Sequence, residues 1–204
     1  NIPYSERKME SISDYQEEEY QYLNKKLSER SCCIQHTSDD FRVIMADLGI
    51  SKGILVIAKK KNAINGLAIA YNAKESLIIN ELFAETNEIE NSLLYYLKQH
   101  SVCNQIIRLL PLNHEQPQQS FGMARIINAK EILRLYATAF PKEEMQIELT
   151  DDQLSINNGY YRIHKGRCDY SCEPLSGISI QMNVSELTKQ ILQPLHPFMS
   201  LMLD

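Results

Sequence analysis

Leu77-Ile78-Ile79-Asn80-Glu81-Leu82-Phe83 runs straight into the turn Ala84-Glu85-Thr86-Asn87-Glu88 and then into a helical pattern over residues 88–100. The first seven residues alternate as a strand. In the helix, Ile89, Leu93, Leu94 and Leu97 recur at a period near 3.6 and form one apolar face. Asn87 and Glu90 have capping-box spacing, with Asn in place of Ser or Thr. Lys98 and His100 lie at the C-terminal end, where cations suit the helix dipole. On a strictly alternating strand Ile79 and Glu81 share a face, so Glu81 reads as an outward polar residue.

Working outward, Ile54–Ala58 and Gly66–Tyr71 are strand-like and are separated by the polar turns 59–65 and 72–75. With 77–83 they form an antiparallel meander. Two helices are expected upstream. One covers 13–29, with Ser13 as cap, Tyr15, Tyr20, Leu23 and Leu27 on one side, and acids leading lysines. The other covers 39–48, with Ser38 as cap, an apolar stripe of Phe41, Ile44, Met45 and Leu48, and Gly49 as stop. Downstream, Gln105–Leu110 is a strand stopped by Pro111. The order is αα-βββ-α-β.

Residues 113–121 are polar, carry Pro117 and three glutamines, and read as a linker between domains 1–112 and 122–204. The second domain opens with a helix over 129–140, capped by Asn128 with Glu131 three residues on. Strands fit 145–149, 154–156, 160–164 and 178–182, and a helix over 185–192 is broken by Pro194 and Pro197. The tail Phe198-Met199-Ser200-Leu201-Met202-Leu203-Asp204 is apolar up to its last residue, and such a terminus is expected to dock. The fold class is α+β: a mixed sheet with helices, then a small α/β domain.

Composition bounds the function. With 204 residues, 44% hydrophobic and 23% charged, the chain is neither disordered nor a coiled coil. The longest apolar runs, such as Gly53–Ala58, are far too short to cross a bilayer. A net charge of −5 disfavours a nucleic-acid binder, which would present a basic field. Five cysteines and no visible signal segment point to reduced thiols in a cytoplasm. The chain opens at Asn1 rather than Met, as a processed protein or a piece of a longer one would. Gly-x-Ser-x-Gly, P-loop and His-Glu-x-x-His motifs are missing from the sequence.

The strand 77–83 followed by a helix resembles the central strand and helix of the GNAT acyltransferase superfamily. In working members the intervening loop is basic and glycine-rich, and its N–H groups with the helix N-terminus hold the pyrophosphate of coenzyme A. Here Ala84-Glu85-Thr86-Asn87-Glu88 has no glycine and no Arg or Lys, and Glu90 adds a further carboxylate. The chain is similar to the second and third parts of the enhanced-intracellular-survival type of acetyltransferase. Those parts are a GNAT-like domain without the phosphate loop and a domain of sterol-carrier-protein type. The stretch Gly122-Met123-Ala124-Arg125-Ile126-Ile127-Asn128 is similar to that family's entry into its third domain, and Leu154–Ile163 fits the sheet that follows.

The resemblance implies that the intact protein moves an acetyl group from acetyl-CoA to an amine. It implies a catalytic domain preceding Asn1, a homo-oligomer, and no cofactor on this chain itself. It also implies a terminal carboxylate acting as general base, a position matched by Asp204. The family usually ends in an aromatic residue, whereas Asp204 carries a second carboxylate.

Other candidates have plainer readings. Glu81 lies on the strand where GNAT enzymes often place a base, but no cofactor loop faces it. Cys32-Cys33 with His36 lacks a supporting Asn or Asp and reads as small residues entering a core. Cys168 and Cys172 are four apart, which is not a zinc spacing, even with His164 nearby. His114 reads as solvated, His164 as structural or exposed, and His196, between two prolines, is the histidine nearest the tail. Tyr160, Tyr161 and Tyr170 could line an apolar groove of lipid-carrier type. That gives the alternative function, an apolar-ligand module without catalysis.

Overall fold

The computed structural model describes residues 7–30, 32–110, 123–195, 197–198 and 200–201. The chain divides into two compact units, Asn1–Gln119 with Pro197–Asp204, and Ser120–His196. The tail segment thus belongs with the first unit, although the sequence places it with the second domain.

The first unit contains β1 (Arg7–Ile12), α1 (Glu17–Ser28), α2 (Ser38–Ile50), β2 (Ile54–Lys60), β3 (Ala63–Ala73), β4 (Ser76–Ala84), α3 (Asn87–His100) and β5 (Gln105–Arg108). The sheet runs β1-β2-β3-β4-β5, antiparallel except for the parallel β4–β5 pair. One face carries Leu55, Ile57, Leu67 and Ile69 against Leu23 and Leu27 of α1 and Phe41, Ile44 and Leu48 of α2. The other carries Val56, Ala58, Ala68, Ala70, Leu77 and Ile79 against Ile89, Leu93 and Leu97 of α3. Burial on both faces explains why β2 and the middle of β3 are nearly continuous apolar runs. Gly66 lets α3 press close: a Cβ there would lie 2.5 Å from Ile89 Cγ2 and 3.0 Å from Leu93 Cδ1.

Helix caps sit one residue earlier than the sequence suggests in two cases. Thr37, not Ser38, caps α2 through a reciprocal box with Asp40. Thr86, not Asn87, caps α3. At α1 the N-cap is Gln16 rather than Ser13.

Two bulges shape the sheet. Between β2 and β3, Ala58 pairs with Gly66 and Lys59 with Ile64, so Asn65 is unmatched. Between β3 and β4, Ile69 pairs with Glu81 and Ala70 with Ile79, so Asn80 is unmatched. A bulge reverses the in–out parity of all that follows it. Leu77 and Ile79 therefore face α3, whereas Glu81 and Phe83 face the α1 side, and Leu82 takes over the α3 side.

The second unit comprises α4 (Ala129–Ala139), β6 (Met145–Thr150), β7 (Gly159–His164), β8 (Arg167–Ser171), β9 (Ile180–Asn183) and α5 (Val184–Leu192). Its sheet order is β8-β7-β6-β9, with β6 and β9 parallel. Ile147, Leu149, Tyr161 and Ile163 pack against Leu133 and Ala137 of α4 and Leu187 and Ile191 of α5. Asn128 caps α4 as expected, and Asn183 forms a capping box with Glu186 at α5. In place of the strand expected at 154–156, Ser155–Asn157 form a short 3₁₀ turn.

That turn is organised by Asp151, which is 3% exposed. Its carboxylate accepts from Asn157 Nδ2 at 2.8 Å and from the N–H groups of Gln153 and Leu154 at 2.9 and 3.0 Å, and it pairs with Arg125. Asn157 Oδ1 in turn accepts the Ala129 N–H at the start of α4, 2.9 Å away. Donation by Asn157, the two backbone N–H groups and Arg125 holds the Asp151 carboxyl well below the usual carboxylate range. A depressed folded-state pKa stabilises the fold above the unfolded value, and that stability is lost as pH falls through the folded value. Hydrogen exchange at β7 should therefore accelerate on acidification below about pH 4, and Asp151→Asn should flatten that dependence. An unchanged acid profile in Asp151→Asn would contradict this role.

Candidate functional site

The site indicated by the sequence lies where β4 leaves β5. Pairing runs from Ser76 with Gln105 to Ile79 with Arg108, followed by a bond from Leu109 N–H to Ile79 O at 3.0 Å. No β5 partner accompanies Asn80–Ala84 among the described residues, so the β4–β5 pairing seen there ends before the turn into α3. Two elements bring cations to that acidic turn. Lys26 of α1 lies 2.9 Å from Glu85, whose carboxylate also accepts the Tyr22 hydroxyl at 3.3 Å. Hydrogen bonding to Lys26 lowers the Glu85 pKa, and the same bond raises that of Lys26. Burial, reinforced by the Glu85 charge, raises the Tyr22 pKa. Arg108, the last residue of β5, pairs with Glu90 in the first turn of α3.

These partners refine the electrostatic picture. The helix end is not a bare cluster of carboxylates: Glu85 is paired with Lys26 and Glu90 with Arg108. Exposed ion pairs of this kind are worth only about 0.2–1 kcal/mol each, so the pairs alone would not bar a ligand. The donor side weighs more. Thr86 Oγ1 accepts from the Ile89 N–H, and Thr86 O receives the Ile89 and Glu90 N–H groups at 3.1 and 3.0 Å. The turn has no glycine to let backbone approach a diphosphate closely. The residues present do not fit the nucleotide of coenzyme A at this turn.

Glu81 corrects the sequence reading. It is 1% exposed rather than outward-facing, because helices cover both faces of the sheet, and the bulge at Asn80 turns it toward α1. Arg30, just beyond α1, grips it bidentately at 2.8 and 2.6 Å. The guanidinium lies between the rings of Phe83 and Phe198, 4.5 and 4.6 Å from their centroids. Ser200 Oγ donates to Glu81 Oε1. The Phe198 N–H donates to Cys32 O at 3.0 Å, and Phe198 bridges Cys33 in parallel. Leu201 is 5% exposed within the α1–α2 core. Docking of the tail thus holds for Phe198, Ser200 and Leu201. Asp204, His196, His114 and the linker 113–121 lie outside the described residues.

The remaining candidates separate. Burial raises the Cys32 and Cys33 thiols and lowers His36, which disfavours a thiolate–imidazolium pair. The Cys33 thiol donates to Leu27 O at 3.2 Å. Burial pushes Cys168 up to about 11, and no group of three or more His, Cys, Asp or Glu able to hold a metal occurs among the described residues. His164 Nδ1 sits 3.7 Å from Asp169. Tyr160 and Tyr161 point to opposite faces of β7. Tyr161 is fully buried against Tyr170, with ring centroids 5.1 Å apart, and donates to Asn157 O at 2.9 Å. Tyr160 donates to Glu148 at 3.0 Å on the polar face, where Arg162 also grips Gln146. An open depression of about 250 Å³ beside Tyr160 is bordered by Glu148, Leu149, Thr150, Asn158, Gly159 and Cys172. No helix among the described residues is long and apolar enough to cross a membrane.

No protein-family model and no curated protein matches the sequence. Solved structures do match in fold. A probable N-acyltransferase from Enterococcus faecalis superposes with a TM-score of 0.60 at 16% identity, covering 95% of this chain and 59% of that one. A GCN5-related N-acetyltransferase from Anabaena variabilis gives 0.57 at 16% identity, covering 95% and 56%. Eis1 from Mycobacterium abscessus gives 0.50 at 12% identity, covering 92% and 52%. The fold is GNAT-like and α+β, and the chain spans between about half and three-fifths of these neighbours.

Proposed function

We propose that this chain is the C-terminal portion of an acetyl-CoA-dependent N-acetyltransferase and is non-catalytic alone. The first unit is a degenerate GNAT-like domain, and the second is a sterol-carrier-type domain. In the intact protein the two shape the amine site and support a homo-oligomer, while a catalytic domain ahead of Asn1 binds acetyl-CoA. The carboxylate at Asp204 serves there as general base. One observation carries the reading: a GNAT-like β4–turn–α3 unit whose turn is capped by Thr86, lacks glycine and is occupied by Glu85 and Glu90 with their own partners. The fold likeness over 95% of the chain to longer N-acyltransferases, of which the match covers 56% and 59%, supports it.

A thiol-release assay tests the reading. This chain with acetyl-CoA and a mixture of primary amines should release coenzyme A no faster than buffer. The reading frame ahead of Asn1 should encode a glycine-rich, arginine-containing loop between a strand and a helix. Turnover by the chain alone would refute the assignment.

A further inference from the structure

Among the described residues the first unit buries two acids, and they are held in opposite ways. Glu81 has the bidentate grip of Arg30. Glu19, in the first turn of α1, is 0% exposed, and neither of its carboxylate oxygens accepts a hydrogen bond from a described residue. Lys59 Nζ lies 3.8 Å from Glu19 Oε1, too far for a hydrogen bond, and 3.0 Å from Oε2 of Glu18, whose side chain is 49% exposed. A carboxylate taken out of water without hydrogen bonds opposes the packing that buries it.

The two ends of α1 differ accordingly. The N-cap Gln16 gives the helix no side-chain bond, and Glu19 is the one buried residue of α1 before Leu23. Tyr20 adds contacts at the half-buried margin, a ring 6.0 Å from that of Phe41 and a hydroxyl that donates to His36 O at 3.2 Å. Toward the other end Leu23 and Leu27 enter the core, Lys26 holds Glu85, and Arg30 holds Glu81. Beneath the N-terminal half, Ile57 precedes Lys59 on the same face of β2, and Lys59 pairs with Ile64 of β3.

We propose that the N-terminal half of α1 is a lid. It lifts from the β2–β3 face about a pivot near Arg30, Lys59 is the latch that holds it down, and the buried Glu19 is the acid that drives it up. Lifting returns the Glu19 carboxylate to water and uncovers the apolar end of the sheet around Ile57 and Ile64. Local opening of this kind occurs where few apolar contacts hold an element. The signs separate a lid from an ordinary ion pair. In an ordinary pair, removing either partner loosens the helix. Here removing the acid tightens it, because Lys59 keeps Glu18 as a partner, and removing the cation loosens it.

The test is hydrogen exchange at the amides of residues 20–23, with β3 amides as the standard for an intact first unit and those of residues 27–28 as the standard for the pivot. Glu19→Leu should slow exchange at 20–23 by about fivefold or more, and Lys59→Met, which leaves the acid buried without its cation, should speed it by about tenfold or more. In both variants β3 should hold within about twofold, and residues 27–28 should shift less than 20–23. Glu17→Leu takes an exposed acid from the same turn, controls for helix propensity and dipole, and should not slow exchange. Exchange at 20–23 that is unchanged or faster in Glu19→Leu would overturn the lid. So would equal slowing in Glu17→Leu, or a Lys59→Met effect shared equally by residues 27–28. Where Lys59→Met also loosens β3, the sign of the Glu19→Leu effect decides alone.

Discussion

Arg30→Met is expected to destabilise the first unit by about 3–5 kcal/mol, because it strands a carboxylate in the core. The neighbouring figures decide the size. Glu81 has a side-chain exposure of 0% and Arg30 of 20%, so the acid has no route to water while the guanidinium has one. Glu81→Met should therefore cost less than Arg30→Met, since Arg30 can turn outward along the rings of Phe83 and Phe198. The double variant Arg30→Met with Glu81→Met should recover much of the loss, as a buried pair replaced by apolar side chains of similar volume often does. With two units present, a single unfolding midpoint is not a well-defined quantity. The loss is best read from exchange of the β3 amides. A change below about 1 kcal/mol in Arg30→Met would mean that the pair behaves as a surface contact.

The second large effect belongs to Tyr161. Its side chain is fully buried between the sheet and α4, packed on Tyr170. Tyr161→Ala should destabilise the second unit by about 3–5 kcal/mol through the lost burial and the cavity left behind. It would also orphan the Asn157 carbonyl, which sits in the hub that ties Asp151 to the start of α4. Tyr161→Phe keeps the ring and loses only that bond, at a cost of about 1 kcal/mol. Tyr160→Phe, on the polar face, should change stability by about half that. Equal effects at 160 and 161 would contradict the assignment of faces.

Local signals were legible where they were periodic. The β2–β4 meander, α3, α4, α5 and the Asn128 cap follow from apolar spacing and capping chemistry. β1 was not visible, because Arg7–Ile12 is a short polar edge strand whose pairing with β2 is long-range. Residues 154–156 read as strand, whereas Ser155–Asn157 form a 3₁₀ turn whose stability comes from Asp151 rather than from its own residues. Glu81 is buried because helices cover both faces of the sheet, and a single unmatched residue at Asn80, which nothing in the alternation announces, decides that it faces α1. A faint signal was available. An acid on an otherwise apolar strand needs a partner, and Arg30, alone after α1, was a candidate. Their separation of 51 residues and the return of Ser200 are facts of tertiary structure that local pattern does not carry.

Whether the turn 84–88 can hold a diphosphate is read by titrating the chain with coenzyme A. Calorimetry up to millimolar ligand should show no saturable heat, and exchange of the β3 amides should stay unchanged. A bound site at a hundredfold excess over Kd would add about 2.7 kcal/mol of stability, an effect too large to miss. Micromolar binding accompanied by shifts at the amides of residues 85–90 would contradict the account and make the first unit a cofactor-binding domain in its own right.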